Sequence, residues 1–171
     1  MVLSTDLGEI VVEVDLLHAP RTSANFLHYV DNGFYEGGSF HRTVRADNQP
    51  TNQHKIGVIQ AEANPALATK SLPPIALERT SATGLRHLDG TISMARDGPD
   101  TATSDIFICI GDQPELDFGG RRNPDGQGFA AFGRVIHGRQ VVRRIQAAPA
   151  DGQKLTPPVK IHGARRITSG R

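Results

Sequence analysis

The stretch from Gly90 to Ile110 constrains the fold most. Two apolar runs, Thr91-Ile92-Ser93-Met94-Ala95 and Ile106-Phe107-Ile108-Cys109-Ile110, are each of strand length. They flank a loop of small residues, Asp97 to Ser104. Gly98-Pro99 punctuates that loop, and its hydroxyl and acid side chains can bond their own backbone. The flanks read as strands and the middle as a turn-rich connection.

The same grammar runs along the rest of the chain. Val2 to Leu16 reads as a hairpin with Asp6-Leu7-Gly8-Glu9 as its turn. After the turn Ile10, Val12, Val14 and Leu16 alternate with Val11, Glu13 and Asp15, the period of a half-buried strand. Pro20 opens a helix at a position where its missing N–H costs nothing. Phe26, Leu27 and Val30 make that helix's buried stripe, and Gly33 closes it. Phe40 to Val44, Gly57 to Ala61, Phe129 to Ile136 and Pro158 to Ile161 read as further strands, with Ile75 to Glu78 as a short one. Arg45 to Lys55 and Gly111 to Gly128 read as loops. Arg139 to Ala147 reads as a second helix, with Val141, Val142 and Ile145 on one face.

Eighteen glycines and eleven prolines fit a turn-rich β chain better than a helical bundle. About eight short strands and two widely separated helices predict an all-β fold, a closed antiparallel barrel. No repeat or linker divides the chain, so residues 1–171 are expected to form a single domain.

Composition also excludes functions. Nineteen basic and eighteen acidic side chains leave a net charge of +1, which gives no field to steer nucleic acid or an anionic membrane. The histidines His18, His28, His41, His54, His87, His137 and His162 lack ligand spacing, and the loop from Asp112 to Asp125 lacks the calcium-loop pattern, so no metal is expected. The single cysteine, Cys109, forbids an intramolecular disulfide and reads as a small buried hydrophobe. No apolar run is long enough to span a membrane. A strand pattern beginning at Val2 leaves no targeting segment, so the expected compartment is the cytoplasm; a signal peptide already removed would make it the periplasm. The basic run from Ala164 to Arg171 reads as a solvated tail.

Two segments carry a family resemblance. Tyr35-Glu36-Gly37-Gly38-Ser39-Phe40-His41-Arg42 and the run around Ser93-Met94-Ala95 resemble the cyclophilin family of peptidyl-prolyl cis-trans isomerases. Ala19-Pro20-Arg21-Thr22 with Asn25-Phe26 is similar to the family's first helix. Phe132-Gly133-Arg134-Val135 with Gly138 and Val141-Val142 is similar to a barrel strand and the second helix. The resemblance implies a closed eight-stranded antiparallel barrel capped by two α-helices. It implies rotation about X–Pro bonds of proline-containing peptides and unfolded protein clients, by a monomer without a cofactor.

By the same resemblance Arg42 is the catalytic arginine and Gln60 the groove glutamine that bonds the substrate backbone. Phe107, Val58 and Leu116 line the pocket for the proline ring. Ala95 and Arg96 wall it, and Phe40, Asp105 and Phe129 complete the expected substrate-binding set. His41 reads as a structural residue, because the reaction moves no proton. Several positions depart from the family pattern. Asp105 stands where many members carry glutamine, Ile106 replaces an aromatic, and Ala61-Glu62 replaces glycines. Glu115 stands where many members carry a tryptophan, and Phe129 where many carry a histidine. Arg42 and Gln60 lie further apart than in the common form, so Arg45 to Lys55 holds an insertion beside the groove. A charge at Asp105 beside Arg42 would favour a different kind of protein, a proline-peptide-binding chaperone or adaptor with little turnover.

Overall fold

Val2 to Val14 forms the expected hairpin in the computed structural model, which describes residues 1–167. β1 (Val2–Thr5) pairs with β2 (Gly8–Val14), and Thr5 faces Gly8 across a turn shorter than expected. Gly8 has φ +125, a region that favours glycine. The alternation fails at its end: Leu16 is 54% exposed. Asp15 is the cause, because its Oδ1 accepts from the N–H groups of Leu17 and His18 at 3.1 and 2.9 Å and turns the chain out of the strand.

α1 (Pro20–Asp31) buries Phe26, Leu27 and Val30 as expected, and Gly33 follows it at φ +70. Its first turn is capped from a distance. The Glu78 carboxylate accepts from the N–H groups of Arg21 and Thr22 at 3.1 and 2.7 Å, and from the Thr22 hydroxyl. A cap of this kind is worth about 0.5–2 kcal/mol. The expected strand over Ile75 to Glu78 is therefore absent; only Ile75 makes a bridge, to Ala102.

The remaining elements are β3 (Ser39–Val44), β4 (Val58–Glu62), the short α2 (Thr80–Thr83), β5 (Thr91–Met94), β6 (Ile106–Cys109), β7 (Ala131–His137), α3 (Arg139–Gln146), β8 (Ala150–Asp151) and β9 (Lys154–Arg165). All pairings between them are antiparallel, in the order β1-β2-β7-β5-β6-β4-β3-β9, and β1 pairs with β9 to close the ring. These eight strands make a barrel without a free edge. β8 only extends β9 by a two-residue hairpin. α1 packs on β7 and β9, and α3 on β2, β3 and β4.

The interior holds Leu3, Ile10, Val12, Ile59, Ile92, Ile108 and Phe132. Phe26 of α1 reaches in, with its ring 5.0 Å from Phe132 and 5.6 Å from Tyr35. Cys109 is buried, which pushes its thiol pKa far up and leaves it inert. The last strand is longer than expected because β1 and β3 pair with its two halves. The expected solvated tail begins later than its sequence suggests: Ala164 and Arg165 belong to β9, and Arg166 forms an ion pair with Asp31. Residues 168–171 of that run lie outside the described residues.

Candidate active site

The barrel's outer face carries one row of directly opposed residues across four strands. Arg42 on β3 faces Gln60 on β4, Gln60 faces Phe107 on β6, and Phe107 faces Ser93 on β5. Opposed residues point to the same side of a sheet, so sequence positions far apart become one surface. A second row on the same face runs Val44, Val58, Cys109.

A bulge aims Arg42 outward. Phe40 opposes Ala61 and Arg42 opposes Gln60, so His41 is the extra residue on β3. Strict alternation would point Phe40 and Arg42 the same way; the extra residue turns them to opposite faces. This corrects the expectation for Phe40. Its ring is fully buried in the barrel core beside Ala61 and Val159 and does not line the groove. His41 pays for the bulge with a buried Nε2 that has no partner among the described residues.

Arg42 is gripped by neutral amides. Nε and Nη2 donate to Gln153 Oε1 at 2.9 and 2.7 Å, and Nη1 donates to Gln60 Oε1 at 3.0 Å. Among the described residues no carboxylate lies within 4.0 Å of its guanidinium. Burial draws its pKa down from the usual value, but a guanidinium remains charged at any working pH. Gln60, with its oxygen turned to Arg42, keeps its Nε2 donors free of partners among the described residues.

Beside the arginine lies an apolar patch separate from the main core. Val44, Val58, Phe107, Cys109 and Leu116 are buried together, with Ile56, Ala95 and Phe129 packed against them. Phe107 and Phe129 meet edge to face at 5.3 Å. Phe129 was expected inside a strand. It instead precedes β7, donating its N–H to Leu116 O at 3.0 Å, and forms a wall. Arg42, Gln60, Val58, Ala95, Arg96, Asp105, Phe107, Leu116 and Phe129 all line one groove of about 450 Å³. Nine of the ten expected site residues therefore converge, Phe40 being the exception.

Three of the charged positions make contacts of their own, away from Arg42. The Arg96 side chain is only 1% exposed. It grips Asp125 with two nitrogens at 2.8 and 3.0 Å, bonds Gly128 O, and stacks its guanidinium 4.8 Å from the Phe129 ring centre. It holds the wall in place and is not a free charge in the groove. Asp105 does not pair with Arg42. It lies near His41 and Glu62, with its Oδ1 3.5 Å from Ser104 Oγ, and burial raises its pKa. Glu115 is paired with Arg121 at 2.9 Å, which lowers its pKa to about 2.

Sequence reasoning missed Gln153, Arg122 and a buried array behind Phe107. His87 stacks on Phe107, with ring centres 5.9 Å apart. Its Nδ1 bonds Asp117 at 2.7 Å and its Nε2 bonds Ser93 Oγ at 3.0 Å. The order Ser-His-Asp is that of a hydrolase triad, but Ser93 is 0% exposed and His87 1%, so no substrate reaches the hydroxyl. The array braces Phe107 from beneath. Arg122 lines the same groove as Arg42. Among the described residues no group of three or more His, Cys, Asp or Glu could hold a metal, and no helix is long and apolar enough to cross a membrane.

Comparison with known proteins agrees with this geometry. The family model described as cyclophilin type peptidyl-prolyl cis-trans isomerase/CLD matches residues 1–166. Peptidyl-prolyl cis-trans isomerase A of Dickeya dadantii is 36% identical over 146 residues, 85% of this chain and 70% of the relative. Peptidyl-prolyl cis-trans isomerase cyp18 of Streptomyces antibioticus is 35% identical over 171 residues, 95% of each chain. Among solved structures, a Cryptosporidium parvum cyclophilin type isomerase, crystallised in the presence of the dipeptide Ala-Pro, superposes with a TM-score of 0.75. It covers 95% of this chain and 94% of its own at 20% identity, a likeness of fold.

Proposed function

The chain belongs to the cyclophilin-type peptidyl-prolyl cis-trans isomerase family, enzymes that rotate X–Pro peptide bonds, and from that premise we propose that Arg42 is the group that makes the rotation fast. The barrier is amide resonance, roughly 18–20 kcal/mol. At the transition state the imide nitrogen leaves conjugation and regains a lone pair. A donor fixed opposite that nitrogen stabilises the twisted state and not the planar ones, which is the condition for catalysis. The observation that carries this reading is the grip of Gln153 and Gln60 on Arg42 without a neutralising acid. The charge is oriented in advance and remains available to the substrate.

The apolar patch of Val58, Phe107, Leu116 and Phe129 takes the proline ring. Gln60 Nε2 donates to a peptide carbonyl. The Ala95 N–H is already used by Asp105 O at 2.9 Å, so Ala95 offers its carbonyl to an extended peptide. Ala-Pro, the dipeptide present with the Cryptosporidium relative, contains one X–Pro bond of the kind this groove would hold. Proline-containing segments of unfolded clients are the natural extension. The adaptor reading loses its main support, since Asp105 does not neutralise Arg42.

A protease-coupled assay on a proline peptide, without added cofactor, tests this directly. The purified chain should accelerate the cis-to-trans step well beyond the spontaneous time of tens to hundreds of seconds at 25 °C. Spontaneous kinetics at micromolar protein would overturn the reading.

A further inference from the structure

The groove is electrically polarised, and its cationic end has a part that the family chemistry does not use. Register gives the direction. Along β4 and β6 the Ala61–Ile106 pair marks one end, next to Asp105, and the Val58–Cys109 pair marks the other, next to Ile56. At this second end Arg122 enters the groove from the loop after β6.

The insertion builds a seat for it. Gln49 is 3% exposed and sits inside the inserted loop. Its Nε2 donates to Arg45 O and Ile56 O at 2.6 and 2.7 Å, and its Oε1 accepts from Ile56 N at 3.1 Å. That same Oε1 accepts from Arg122 Nη1 at 2.6 Å, and His54 O accepts from Nη1 at 3.0 Å. Only Nη1 is used: Nε and Nη2 have no partner among the described residues, and no carboxylate lies within 4.0 Å. A half-buried guanidinium with free donors, fixed at one nitrogen, is built to receive an anion. Burial and the neighbouring Arg42 charge both draw its pKa down, which places the two cations in one field.

We propose that Arg122 is an anion-binding subsite that selects proline-containing segments with an acidic side chain close to the proline. The proposal rests on the isomerase reading for its substrate and extends it to specificity. Arg42 drives the rotation; choosing among peptides is the task of Arg122. A carboxylate arriving there would accept from Nε and Nη2 side by side, a geometry lysine lacks.

The test is a set of proline peptides in which Glu or its neutral isostere Gln is moved through the positions flanking proline. kcat/KM is measured for the wild type, Arg122→Gln and Arg122→Lys. At one position the wild type should favour Glu over Gln about fivefold at low salt, the size of one partly screened ion pair. Added salt should shrink that ratio. Arg122→Gln should bring it to about one, and Arg122→Lys should keep part of it, which a merely structural role in holding the insertion would not produce. A wild-type ratio within twofold of one at every position, with Gln peptides still turned over, would overturn the proposal and leave the isomerase reading intact. A ratio unchanged in Arg122→Gln would overturn it too, assigning the preference to Arg42. Absence of turnover on any peptide would instead overturn the isomerase reading.

Discussion

Gln153 Oε1 accepts two hydrogen bonds from Arg42, from Nε at 2.9 Å and Nη2 at 2.7 Å, across 111 positions of sequence. Gln153 Nε2 is anchored in turn on Asn48 O at 3.0 Å, so the amide cannot swing away. The β8–β9 hairpin thus holds the guanidinium in orientation without cancelling its charge.

Gln153→Ala should therefore lower kcat/KM about tenfold, mostly in kcat, because a misaimed donor loses transition-state contact before it loses substrate. Thermal unfolding should change little, as Gln153 packs no core. Steady-state kinetics beside a melting curve checks this. Unchanged kcat would mean that Gln60 alone orients Arg42.

The Arg96 clamp makes an asymmetric expectation. Asp125→Ala removes the carboxylate and leaves a guanidinium that is only 1% exposed without its counter-charge. That should cost about 2–4 kcal/mol of stability, since an uncompensated buried charge is expensive. Arg96→Met leaves Asp125, whose side chain is 29% exposed, free to meet water, and should cost less. Chemical denaturation of both variants decides it; a larger loss in Arg96→Met would place the value of the clamp in the Gly128 and Phe129 contacts.

Much of this was legible in the sequence, for physical reasons. Period-two alternation marked β2, and strand-length apolar runs marked β5 and β6, because β6 feeds the barrel interior with Ile106 and Ile108 and the outer apolar patch with Phe107 and Cys109. Pro20 and Gly33 bounded α1 through fixed and positive φ. The failures share one cause: contacts between distant segments. Leu16 continues the alternation on paper, and only the Asp15 turn takes it out of the strand. Phe40 and Arg42 share a parity that the bulge at His41 breaks. Gln153 and Gln49 look like ordinary polar loop residues until the fold brings them to Arg42 and Arg122.

Asp105 supplies a pH signature. Burial raises its carboxyl pKa above the ordinary value. A native pKa above the unfolded one means that the native state binds the proton more tightly. Its favourable contribution is complete below the unfolded pKa and is lost as pH rises through the native value. Asp105→Asn, which mimics the protonated form, should raise Tm by about 2–4 °C at about pH 7 and have no effect at about pH 3. Calorimetry across that range checks it. A destabilised Asn variant at neutral pH would show that the contact from Ser104 and the nearby His41 outweigh the cost of burial.

The most direct measurement is exchange NMR on a labelled X–Pro peptide mixed with the wild type or Arg42→Ala. The wild type should interconvert the bound isomers quickly. Arg42→Ala should still bind the peptide through the Val58, Phe107, Leu116 and Phe129 pocket, yet catalyse exchange about 10²–10³-fold more slowly, the loss expected for one preorganised donor. Arg42→Lys should recover little of it, lacking the planar fork. Full exchange rates in a folded Arg42→Ala protein would contradict the assignment of Arg42 as the group that drives rotation.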